Sequence, residues 1–226
     1  MSTDRRSFLT QLGAGVTVAG GALASGVSVA NAQTAGAYRP ARHALDDWMD
    51  TLPGTHRLIL DATTPGSFGA ALAYANNFLT ANKDGYGLND KDAAVIIVAR
   101  HFATTYAFND AMWAKYGKAI PPMAGIDDPK TKARPAINLF AASGYNDLPS
   151  LGTTIPQVAG RGIHFAVCQM ATQFFAGMLA KATNGNADAI YNEVVANLIP
   201  NSHVVSAGIV AVNRAQERGY SLVTQL

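Results

Sequence analysis

The chain has 226 residues, enough for one substantial hydrophobic core. Hydrophobic residues make up 49% and charged residues 14%, which excludes a disordered or charge-driven chain, and a formal charge of +2 is too small an excess to point to nucleic acid. A single cysteine excludes a disulfide framework and a cysteine-only metal cluster.

The chain opens with Arg5-Arg6-Ser7-Phe8-Leu9, then a Gly/Ala/Val stretch, then Ala30-Asn31-Ala32. Paired arginines, a mildly apolar segment and a small-x-small site are the parts of a twin-arginine secretory leader. The segment is too rich in Gly, Ala and Ser to favour lipid as a permanent anchor. Cleavage after Ala32 would leave a nearly neutral chain without a stable membrane span, and the expected location is the periplasm. Gly13-x-Gly15 is no dinucleotide fingerprint, because Val18 stands where the third glycine is needed and no strand precedes it.

Residues 33–55 form a polar arm interrupted by Pro40, Pro53 and Gly54, with one short helix expected around 43–50. A single domain over 56–226 follows. Leu58-Ile59-Leu60 predicts a buried strand ended by Asp61 and the turn at 63–67. That turn suits either an anion held on free N–H groups or an ordinary strand-to-helix turn with Ser67 as cap; the cap is the favoured reading. Phe68, Ala71, Leu72, Ala75, Phe78 and Leu79 recur at helical spacing. Residues 93–99 (AAVIIVA) predict a second strand, and a helix near 106–116 would end at Gly117.

Residues 118–156 carry six prolines and predict a long connection with one short helix near 135–142. Residues 162–167 (GIHFAV) predict a third strand, followed by a helix over 169–181 bearing Met170, Phe174, Phe175, Met178 and Leu179. Trp113, Tyr116, Phe174 and Phe175 are expected to pack in the core. A helix through Ile190 to Leu198 stops at Pro200. A strand at 203–206, a helix closed by Gly219 and a strand at 220–224 complete the chain. Apolar strands alternating with helices give an α/β fold: a doubly wound, mostly parallel five-stranded sheet with helices on both faces.

In such sheets ligands bind beyond the carboxyl ends of the strands. The residues just after each strand therefore nominate the site: Asp61 and Thr63, Arg100 and His101, Cys168 and Gln169, then Ser206 and Gly208. Cys168 carries the most chemistry. A thiol at the start of a helix has its thiolate favoured by the helix dipole and free N–H groups, and Arg100 or His101 nearby would add to this. The competing reading is a packed, inert cysteine. His164 and Cys168 cannot share a metal, because four strand residues span about 13 Å. Neither C-x-x-C nor H-E-x-x-H occurs, so no metal or cofactor is expected. Without a G-x-S-x-G elbow, a serine hydrolase is disfavoured.

Residues 94–101 (AVIIVARH), 108–117 (FNDAMWAKYG), 160–170 (GRGIHFAVCQM), 199–209 (IPNSHVVSAGI) and 217–222 (ERGYSL) together resemble the DsrE/DsrF-like family of sulfur-relay proteins, most closely its exported, Tat-tagged branch. The resemblance covers most of 56–224. It implies a parallel α/β fold, a homo-oligomer (trimer or hexamer), and sulfur carried as a persulfide on one cysteine, whose place Cys168 matches. It further implies a sulfur donor or acceptor that is a protein or small thiol. Arg100 and His101 would then stabilise the sulfur anion, with Thr63, Asp61 and Gln169 contacting substrate. The 118–156 connection departs from the minimal family pattern, and the alternative function is a non-catalytic oligomeric binding or assembly protein.

Overall fold

The computed structural model describes residues 39–225, so the leader lies outside the described residues. Five strands form one all-parallel sheet: β1 (His56–Ala62), β2 (Ala93–Ala99), β3 (His164–Cys168), β4 (Ser202–Val205) and β5 (Ser221–Gln225), in the order β4-β3-β2-β1-β5. The alpha helices are α1 (Trp48–Thr51), α2 (Pro65–Tyr86), α3 (Asp110–Tyr116), α4 (Ile155–Gly160), α5 (Gln169–Thr183), α6 (Ala187–Val195) and α7 (Gly208–Gln216). From Pro40 onward the chain is one compact unit. No helix among the described residues is long and apolar enough to cross a membrane.

The strands are Val-, Ile- and Ala-rich because both sheet faces are covered. Leu58, Leu60, Val95, Ile97, Phe165 and Val167 join one core with α2, α5 and α6. The alternate residues Ile59, Ile96, Val98 and Ala166 join a second core with Ala211, Val212 and Ala215 of α7 and with Met49 and Leu52 of the arm. The doubly wound arrangement follows: α2, α5 and α6 cover one face, and α7 with the arm covers the other.

β1 continues through Asp61, which is buried within the strand and does not end it. Thr64, not Ser67, is the N-cap of α2, and Ser67 is its reciprocal partner. Ser67 Oγ accepts the N–H groups of both Thr63 and Thr64, at 2.9 and 2.8 Å. Those donors are spent locally, so the turn is a helix cap and no anion cradle.

The helix expected over 106–116 is split. A 3-10 helix (His101–Ala107) is followed by extended Phe108, which bridges Leu198, and α3 then starts under an Asn109 cap. Gly117 does not stop the helix in the left-handed conformation; it continues into a 3-10 turn. Its role is close approach, since a Cβ there would lie 2.3 Å from the Pro135 carbonyl oxygen.

The 118–156 connection is part of the core. No helix forms over 135–142. Instead Asn138 is fully buried and donates from Nδ2 to the carbonyls of Tyr106 and Phe108, at 2.8 and 2.9 Å. Its N–H donates to Asp110 Oδ1 at 2.7 Å. This local bonding replaces helical bonding and delivers Phe140 against Phe68 and Tyr106. The helix that does form is α4, through a Thr154–Gln157 capping box.

The arm is docked rather than free. Its helical part is a 3-10 turn (Ala44–Asp46) plus α1. Arg57 and Tyr220 both donate to the Met49 carbonyl, and Arg218 pairs with Asp47 and Asp50. Trp48 stacks on His203 at 3.8 Å, with ring planes 4° apart. His203 Nε2 lies 2.9 Å from His164 Nδ1, so one ring donates and the other accepts, and the two cannot both be protonated in this geometry. Burial, then the charge of His164, pushes His203 down to about 4; burial also lowers His164.

Two outcomes follow from this packing. Asn138→Ala strips two buried carbonyls of their donor and should destabilise the fold by about 2–4 kcal/mol in denaturant melts. Each histidine binds its proton more readily in the unfolded chain, at about pH 6.5, than in the folded one. Stability from the pair is therefore complete above about pH 6.5 and is lost as pH falls toward 4. Over that window His203→Gln should flatten the fall of melting temperature relative to wild type.

Candidate functional site

The carboxyl ends of β2 and β3 and the N-terminal turns of α5 and α7 enclose one cavity of about 460 Å³. It lies where the winding reverses: the chain leaves β3 toward one face through α5 and leaves β4 toward the other through α7. Adjacent strands whose exits diverge leave a crevice between them.

Cys168 is on its wall. It is the last residue of β3 and the N-cap of α5, and Sγ accepts the Ala171 N–H at 3.4 Å. Its carbonyl is fixed by Thr172 Oγ1 at 2.9 Å. The residue is 6% exposed, with its exposed part facing a cavity that opens to solvent. The strand ends here because the thiol replaces a backbone acceptor for the first turn of the helix.

Arg100 shares the wall. Nε and Nη2 donate to the two carboxylate oxygens of Asp61 at 2.7 and 2.8 Å, a bidentate pair across adjacent strands. The Asp61 hydrogen bond, against the cost of burial, raises Arg100 above its ordinary value, helped by the charges of Asp61 and then of Cys168. Gly208 lets the arginine lie there: a Cβ at 208 would be 2.4 Å from Arg100 Cβ and 2.9 Å from Cδ. Glycine opens α7 for this reason.

His101 follows with φ +54, a left-handed backbone that non-glycine residues adopt rarely. Its ring is exposed and tilts against Phe102 at 3.8 Å, and both residues line the cavity. The remaining wall is apolar: Met170, Ala171, Phe174 and Phe175 from α5, and Ala207 and Ile209 from the α7 turn. Met170, Phe174 and Ile209 are 66%, 57% and 59% exposed. Met170 and Phe174 therefore are rim, not core, whereas Trp113, Tyr116 and Phe175 are buried.

Of the nominated residues, the fold brings Cys168, Arg100, His101 and Gly208 to one cavity. Asp61 acts behind Arg100 and does not reach the wall. Thr63 is occupied elsewhere, its carbonyl accepting the N–H groups of Phe102 and Ala103. Gln169 opens α5 without lining the cavity. The aromatic and aliphatic wall was not nominated from sequence. Its signal was present, since Met170 and Phe174 form a second apolar stripe offset from the Thr172, Phe175, Leu179 stripe that packs inward. Among the described residues no group of three or more His, Cys, Asp or Glu is placed to hold a metal ion. His164 pairs with His203 instead, at the opposite end of β3 from Cys168.

Compared with known proteins, the chain matches no protein-family model and no curated protein sequence.

The Asp61–Arg100 pair gives a direct test of the site's construction. Asp61→Ala leaves a partly buried guanidinium, 26% exposed, without its partner and should destabilise the protein by roughly 1–3 kcal/mol by chemical denaturation. Asp61→Asn keeps one acceptor and should lose less.

Proposed function

We propose that the protein is a thiol-based sulfur carrier, sulfurtransferase-like at most, that holds sulfane sulfur as a persulfide on Cys168. The observation that supports this most is the position of the single thiol in the sequence. Sγ accepts a helix N-terminal N–H on the wall of an open cavity that also contains a guanidinium. Negative charge on sulfur is stabilised there by the first turn of a fifteen-residue helix.

The reaction is an exchange at sulfur and needs no cofactor. The Cys168 thiolate attacks a donor's sulfane sulfur, a new S–S bond forms, and the donor's S–S bond breaks with its electron pair leaving on the donor fragment. An acceptor thiolate then attacks the outer sulfur of the persulfide and restores the Cys168 thiolate. Arg100 and His101 sit beside the charge that moves, and Asp61 positions Arg100. The same reading includes export of the folded chain by the twin-arginine route to the periplasm and assembly into a trimer or hexamer, expectations that rest on Arg5-Arg6, on Ala30-Asn31-Ala32 and on the family resemblance. The low exposure of Cys168 favours the competing reading, a binding or assembly protein with an inert cysteine.

Intact mass separates the two. After incubation with excess polysulfide and removal of reagent, wild type should gain one sulfur atom that a small thiol then removes, and Cys168→Ser should gain none. An unmodified wild type, with labelling of Cys168 only after denaturation, sinks the carrier and leaves the binding protein.

A further inference from the structure

The cavity around Cys168 is built for a different kind of molecule than a small inorganic sulfur anion. Its volume of about 460 Å³ lies within the range of small-molecule sites. Its walls are Phe102, Met170, Phe174, Phe175 and Ile209, with the thiol, Arg100 and His101 as the polar groups. Arg100 is the one arginine or lysine on that wall, among the described residues, and two of its three nitrogens are committed to Asp61. A dianion such as thiosulfate would exchange water for hydrocarbon beside a cation already neutralised, which is unfavourable. An aromatic or branched aliphatic group would instead displace water from apolar surface that is left wet in the free protein, since Met170, Phe174 and Ile209 are each more than half exposed.

We infer that the sulfur compound admitted to Cys168 is organic: a persulfide R–S–SH whose apolar substituent R lies against Phe174, Met170 and Ile209. This rests on the reading of Cys168 as a sulfur-accepting thiol. The Cys168 thiolate attacks the outer sulfur of R–S–SH. The S–S bond of the donor breaks, R–S⁻ leaves with the electron pair, and the proton stays on the new Cys168 persulfide. Sulfur is exchanged without an external oxidant or reductant. The neutralised Arg100 then acts on one developing charge, that of the sulfur itself.

The single cysteine makes a clean test on the native full chain. Benzyl methanethiosulfonate and sulfonatoethyl methanethiosulfonate are compared by the rate of Cys168 labelling, each normalised to the same protein in denaturant, so that intrinsic reagent reactivity cancels. The native protein should prefer the benzyl reagent by at least about tenfold. Phe174→Asp, at an exposed position, should retain the fold and lose most of that preference. Equal or faster labelling by the sulfonate, or an unchanged preference in Phe174→Asp, overturns the inference. So does benzyl labelling that slows as protein concentration rises while the protein elutes at a larger size, because a second copy then fills the cavity. Benzyl persulfide and thiosulfate are then compared as donors by intact mass. Benzyl preference with no sulfur gained from either donor keeps the ligand class and removes the carrier role. Sulfur gained from thiosulfate without benzyl preference keeps the carrier role and removes the ligand class.

Discussion

The site depends on a divergence of two chain exits. All five strands run in one direction, so every strand points its carboxyl end to the same edge, and four of the nominated rim residues, Arg100, His101, Cys168 and Gly208, meet there on one cavity wall. A crevice forms only where neighbouring strands send their following helices to opposite faces. In the order β4-β3-β2-β1-β5 the return to the far edge must cross behind the sheet, and α7 makes that crossing. β3 and β4 are thereby the strands whose exits part, and the residue that ends β3 is Cys168. Gly208 completes the geometry, because the first turn of α7 can approach Arg100 only without a Cβ.

Much of this was legible in sequence because the sheet is buried on both sides. A run such as 93–99 has no polar residue to alternate, and β2 occupies those residues without a shift. Glycine at 219 marks a left-handed turn, with φ +82, where the helix was expected to close. Proline-rich 118–156 was harder to read. Its order comes from single buried side chains, Asn138 above all, that bond backbone carbonyls distant in sequence. Such bonding has no period and leaves no local pattern. The arm was similarly opaque: Trp48 and His203 are 155 positions apart, and only folding stacks their rings.

The candidate site divides along the same line. Cys168, Arg100, His101 and Gly208 were found because they follow strands, a rule about backbone. The wall was missed because helical apolar spacing alone does not distinguish residues packed inward from those bordering a cavity. Met170 and Phe174 are four apart, and so are Phe175 and Leu179, yet only the second pair is buried. The distinguishing signal is helix width: an apolar surface that continues around α5 beyond the stripe the sheet covers must face something else.

The pairing of Arg100 with Asp61 bears on how charge is managed at the thiol. A free guanidinium beside Cys168 would attract any anion and would favour the thiolate in the resting protein. A guanidinium held in a bidentate pair keeps its position and some of its field while its net charge is offset by a carboxylate on the adjacent strand. Attraction over distance is weak under those conditions, because a compact ion pair presents little net charge beyond a few ångströms. Stabilisation at contact survives, since the Ala171 N–H lies on Sγ at hydrogen-bond distance. Selection at this cavity therefore falls to shape and apolar contact, and charge acts only once a sulfur atom has reached the floor.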